Sequence, residues 1–211
     1  MTILLSDPRV SAVPLHDDGE PLVALPALLH SACPGSAPLV RPGLRDRLLE
    51  AAAELPTGVL LHVVEGHRPV ADQQRIIAAY SAQLRAARPG IGPDELHHLT
   101  SRYVAPLAVA PHVAGAAVDL TLVDTDGTQL DLGCPLDATP EQSRGRCYFA
   151  AADISREARV HRTLLARALA GAGLVNYPTE WWHWSFGDRY WALTTGAPHA
   201  LYGPTEARVA A

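Results

Sequence analysis

Pro111-His112-Val113-Ala114-Gly115-Ala116-Ala117-Val118-Asp119-Leu120-Thr121-Leu122 changes character halfway along. Its second half alternates apolar residues at Val118, Leu120 and Leu122 and runs on to Val123, the pattern of a strand with one face turned to a core. His112 and Asp119 stand at an odd spacing, which on one unbroken strand would aim them at opposite faces. Gly115 lies between them, so His112 is expected in a loop, Gly115 at the bend, and Asp119 on the strand that follows.

Working outward, Asp124-Thr125-Asp126-Gly127 reads as a hairpin turn into Thr128–Leu132. Upstream, the β-branched and aliphatic run Val59–Glu65 reads as a strand whose end delivers Gly66-His67-Arg68-Pro69. Leu44, Leu48, Leu49 and Ala52 have helical spacing, stopped by Pro56-Thr57-Gly58; Asp72 to Arg88 reads as a long helix, and Pro93 to about Val104 as another. Gly133–Ile154 is polar and irregular, a length typical of lids and site walls. A helix follows from Glu157 to Ala172, and a strand from about Trp181 to Phe186. Residues up to about Val40 are proline-rich and aperiodic, which suggests an extended N-terminal arm (1–40) packed on a single domain (41–211).

Composition narrows the function. Apolar residues make up 48% and charged residues 18%, ordinary for one globular α+β domain of 211 residues. Lys+Arg 17 against Asp+Glu 22 gives a net charge of -5 with no basic block, which argues against a nucleic-acid partner. No run approaches the ~20 apolar residues of a membrane span, and Met1–Arg9 lacks a leader's basic and apolar regions, so a cytoplasmic protein without a membrane role is expected. Cys33, Cys134 and Cys147 are widely spaced and odd in number, which fits reduced thiols, and the Cys33–Pro38 patch reads as a loop. The oligomeric state leaves no mark on the sequence.

The chemistry concentrates in Thr179-Glu180-Trp181-Trp182-His183-Trp184 and in the opening stretch. A catalytic zinc takes three His or carboxylate ligands and leaves one position open, and His112, Asp119 and His183 are the candidates, for one Zn2+ per chain. Glu180 is the candidate general base on the zinc-bound water, since an apolar, Trp-lined surround raises a carboxyl pKa toward the working range. Its spacing from His183 requires a turn at Pro178-Thr179. Arg68 is the candidate cation for an oxyanion or a substrate carboxylate. Trp182 is either pocket wall or core; His97 and His98 read as helix surface, and His62, His161 and His199 as bystanders.

These linked motifs resemble the zinc D-alanyl-D-alanine dipeptidases of the vancomycin-resistance type. The first stretch is similar to the family's Ser-x-His-x-x-Gly-x-Ala-x-Asp, Glu180-Trp181-Trp182-His183 to its Glu-x-Trp-His, Glu65–Pro69 to its Tyr-Arg-Pro segment, and Leu132–Asp137 to its Met-Gly-Thr-Pro-Phe-Asp loop. The resemblance implies an α+β domain with a central antiparallel sheet flanked by helices, shared with bacterial D,D-carboxypeptidases and the Hedgehog signalling domain. It implies ligands His112, Asp119 and His183, base Glu180 and transition-state cation Arg68. The implied substrate is a small dipeptide, D-Ala-D-Ala, whose hydrolysis withdraws it from cell-wall precursor synthesis. Ala110 stands where the family has a substrate-binding serine, and His67 where it has a tyrosine, so a different peptide of a biosynthetic or cell-wall pathway is the alternative, as is a non-hydrolytic zinc-binding relative.

Overall fold

The computed structural model describes residues 2–30 and 37–206; Cys33 and its loop lie outside them. Four antiparallel strands form the central sheet in the order β3-β4-β6-β5: β3 Val59–Glu65, β4 Ala117–Asp124, β5 Val175–Asn176 and β6 His183–Ser185. β4 is central, and all but its last residue are buried, because side chains on both faces are covered. Val118, Leu120 and Leu122 join Leu61 and Val63 of β3 in the main core. That core is closed by α2 (Pro42–Ala53) through Leu44, Leu48 and Ala51, and by α6 (Arg156–Gly171) through Leu165, Ala168 and Leu169. Pro at the start of α2 and the Ser155 side chain accepting from Ala158 N begin these helices where their sequences place them.

The opposite face of the sheet mixes apolar Ala117 and Val123 with polar Asp119 and Thr121. α3 (Val70–Ala87) and α4 (Pro93–Thr100) pair above it through Tyr80, Leu84, Leu96 and Leu99. α4 stops at Thr100, short of the expected Val104, and a turn continues through Tyr103. After Asp124–Gly127 the chain does turn back, but Thr128–Leu132 forms only a single bridge, Val123 to Gln129, since polar Thr128, Gln129 and Asp131 bring little apolar surface to a second strand. The 133–154 segment holds one short helix, α5 (Pro140–Ser143), started by a capping box between Thr139 and Gln142.

The N-terminal residues are more structured than their composition suggests. α1 (Pro8–Ala12) is capped by Asp7, and β1 (Val23–Ala24) pairs with β2 (Leu39–Val40). Leu4, Leu5 and Val10 pack on Val109, Tyr177 and Tyr190. The terminal helix α7 (Arg189–Thr195), capped by Asp188, has no counterpart in the sequence reading. Among the described residues no helix is long and apolar enough to cross a membrane.

Candidate active site

Sheet register builds the site. Asp119 pairs with His183 on one side and with Glu65 on the other, so three chemically active residues form one row across β3, β4 and β6. Glu65 reaches that row through a bulge: Val63 pairs with Leu120, but Glu65 pairs with Asp119. In a regular ladder Glu65 would share the core face with Val63; the extra residue re-aims it to the face of Asp119.

His112 comes from outside the sheet. It opens a 3-10 turn, His112–Ala114, which ends at Gly115 in the left-handed region, φ 65°. The positive φ favours glycine, and a Cβ at Gly115 would also push against the Leu22 side chain, which would have to shift. His112 Nδ1 donates to Gly66 O at 2.8 Å, which turns the Nε2 lone pair toward Asp119 and His183. Gly115→Ala is therefore expected to lower the thermal midpoint by several degrees, at about 1–2 kcal/mol for the backbone strain alone, and to weaken metal retention; calorimetry and metal analysis of the purified variant check both.

His112 Nε2, His183 Nδ1 and Asp119 Oδ1 are mutually 3.0, 3.0 and 3.3 Å apart. Ligands held ~2.0–2.1 Å from a tetrahedral zinc sit roughly 3.3 Å from one another, so the group fits such an ion. Among the described residues the three donors form a group that could hold a metal ion, and all three are buried. Their electrostatics agree. Burial opposes the charge of Asp119, but His112 and His183 outweigh it and hold the carboxyl far below the usual range. Burial likewise opposes protonation of both imidazoles; His183 is pushed down, whereas Asp119 brings His112 up.

Glu180 lies between two turns, Pro178-Thr179 and Trp181-Trp182, so the expected strand from Trp181 is shortened to His183–Ser185. Asn176 Nδ2 donates to the carbonyls of both Glu180 and His183, each at 2.9 Å, and ties the two residues together. Glu180 Oε2 stands 3.8 Å from His183 Nδ1. Burial, reinforced by the charges of Asp119 and Asp137, raises its pKa well above the ordinary carboxyl value. Arg68 presents Nη2 3.9 Å from Asp119 Oδ2 and binds Glu65 through Nε at 2.7 Å and through Nη2. Burial works against its charge, but Glu65, Asp119 and Glu180 more than compensate.

All these groups face one open cleft of about 200 Å³. Ala110 and Trp182 line it, and Trp182 also belongs to the main core, so it serves as both wall and core. Leu5, Gln73, Tyr103, Asp137 and Tyr177 line it too, and no signal in the sequence marked Leu5, Gln73, Tyr103 or Tyr177. Asp137 sits at φ 62° with its carbonyl held by Tyr103 Oη at 3.0 Å; desolvation by the cleft walls, then the charges of Asp119 and Glu65, raises its carboxyl pKa to about 6. The bystander histidines stay away: His97 and His98 are exposed on α4, His161 donates to Asp131 O, and His199 stacks on His16. Cys134 and Cys147 are free thiols, and burial pushes Cys147 up to about 11, which disfavours a nucleophilic role.

A buried two-histidine, one-carboxylate group beside an acid and an arginine in an open cleft is the layout of a single-metal hydrolase. Sequence comparison narrows the class. The Peptidase_M15 model, D-Ala-D-Ala dipeptidase, matches residues 44–198, and the chain belongs to that peptidase family. A D-alanyl-D-alanine dipeptidase of Synechocystis sp. is 29% identical, covering 92% of this chain and 96% of the relative. One of Streptomyces coelicolor is 32% identical over 67% of this chain and 68% of its own, and one of Escherichia coli is 36% identical over 39% and 41%. Among solved structures, a variant of the vancomycin-resistance D,D-pentapeptidase VanY in complex with Zn(II) aligns with a TM-score of 0.38 at 18% identity, covering 84% of this chain and 90% of that one.

Proposed function

We propose that this peptidase hydrolyses D-Ala-D-Ala or a closely related small dipeptide with one zinc ion held by His112, Asp119 and His183. The observation that carries the reading is the meeting of that group with the Glu180 carboxylate and the Arg68 guanidinium in one cleft. Zinc, when bound, supplies Lewis acidity, lowering the pKa of water and polarising a carbonyl. Glu180 accepts the proton of the attacking water and returns it to the departing amine, work suited to a carboxyl whose pKa lies above its ordinary value. Arg68 offers N–H donors to the negative charge that develops on the carbonyl oxygen. Asp137, a carboxylate at the mouth, offers the substrate ammonium a partner, and Ala110 and Trp182 bound the side-chain space. In this reading residues 41–211 make the catalytic domain and residues 1–40 an arm that contributes Leu5 to the cleft wall.

Ala110 supports a second reading with the same chemistry and a different peptide, because it brings no hydroxyl to the cleft. Rates for D-Ala-D-Ala, L-Ala-D-Ala and longer peptides, measured side by side on zinc-loaded protein, decide between them; loaded protein inert on the whole panel would overturn hydrolysis itself. Arg68→Lys is expected to lower kcat by about 10²–10³-fold, the cost of losing one transition-state donor. A lysine ammonium is a point charge without the planar fork that grips Glu65 and so is not aimed at the cleft, and steady-state kinetics should place Arg68→Lys close to Arg68→Met.

A further inference from the structure

Arg68 is held from two sides, and the second hold is the more rigid. A guanidinium has five N–H donors. Glu65 takes those on Nε and Nη2, and Gln73 Oε1 takes one on Nη1 at 2.8 Å, which leaves one N–H on each terminal nitrogen for the cleft. Glu65 is 35% exposed, so on that side Arg68 is held by a partly solvent-exposed carboxylate. Gln73, on the first turn of α3, is 1% exposed and is fixed at its other end, with Nε2 donating to Ala105 O at 2.8 Å. Turning the amide over would set donor against donor at Arg68 and acceptor against acceptor at Ala105, so its orientation is settled by the two bonds together. The amide is also neutral. It anchors the guanidinium without adding another carboxylate to a cation already neighbouring Glu65, Asp119 and Glu180.

We infer that Gln73 is a positioning residue for Arg68, aiming the two remaining N–H groups at the reacting carbonyl. The inference rests on the proposed dipeptidase activity and deepens it. In this role Gln73 acts through Arg68, and the effect belongs to kcat, because the anion forms only in the transition state.

Gln73→Met keeps the side-chain volume and removes both bonds. In zinc-loaded protein it is expected to cut kcat about 10–100-fold while KM moves less than about threefold, the scale of a small misplacement of a catalytic group. Placed on Arg68→Met, the same substitution should cost nothing further. A second readout needs no turnover: in 15N-labelled protein the Arg68 Nη1 hydrogens should rotate slowly in the parent and fast in Gln73→Met. Should Gln73→Met fail to fold, Gln73→Glu keeps an acceptor on Arg68 and loses the donor to Ala105, and its kcat should fall between those of the parent and Arg68→Met. An active parent with unchanged kcat in the Gln73 variants, an equal cost in the Arg68→Met background, or fast Nη1 rotation in the parent would each overturn the inference. A parent inert on every dipeptide would instead overturn the proposed activity, and the Nη1 rotation would still decide the role of Gln73.

Discussion

Glu180→Gln retains about one zinc per chain and loses roughly 10³-fold or more in kcat, at the upper end of what a positioned general base contributes. The amide fills the same space but accepts no proton. The metal group stays intact, since Glu180 comes no closer than 3.8 Å to a ligand atom of His183. Metal analysis beside single-turnover kinetics checks both halves, and full turnover in the variant would sink the role of Glu180. Stability carries an independent sign. In the zinc-free fold Glu180 has a raised pKa, so its contribution is favourable when protonated and is lost as pH rises above the ordinary carboxyl value of 4.5. The glutamine variant of the zinc-free protein is therefore at least as heat-stable as the parent at neutral pH, the relation expected where a residue is kept for chemistry at a cost to folding.

Asp119→Asn has the second large effect: zinc retention collapses, and activity goes with it. Asp119 is the one anion between His112 and His183, within 3.3 Å of each, and a neutral amide leaves two imidazoles to hold a dication alone. A loss of at least about 100-fold in zinc affinity is expected, above the 10–100-fold typical of residues that only support a ligand. Competition with a chromogenic chelator measures it. In the zinc-free parent the pKa of Asp119 is depressed, so its ionised form adds stability above the ordinary carboxyl value of 3.8, lost as pH falls through the lower folded value. Melting curves of the two zinc-free proteins accordingly differ at neutral pH and converge in strong acid; parallel curves at every pH would contradict the ion-pair account.

Much of this site was legible because its residue types are constrained by chemistry. His112, Asp119, His183 and Glu180 are the candidates that ligand types and spacings point to, with a bend at Gly115 and a turn before Glu180, and the structure brings all four to one cleft. Strands β3 and β4 were legible from their aliphatic runs. Gln73 and Tyr103 were not, because a glutamine or tyrosine on an amphipathic helix or its exit looks like any surface residue until tertiary packing sets it over a cleft. The bulge that re-aims Glu65 leaves no mark either, since Val63, Val64 and Glu65 read as an ordinary strand end. α1 and α7 were missed for a related reason: both are short, and their stability comes from packing, Val10 against Val109 and Tyr190 against Tyr177, more than from propensity.

The row Glu65, Asp119, His183 across three strands makes metal content a reporter of strand alignment. A slip of one residue between β4 and β6 would set Trp182 or Trp184 in place of His183 beside Asp119 and turn core side chains to the cleft face, scattering the proposed ligands. Core burial already favours the native alignment, and zinc bound by the proposed ligands would add to that preference, so a shift along β6 should lower metal content together with core packing.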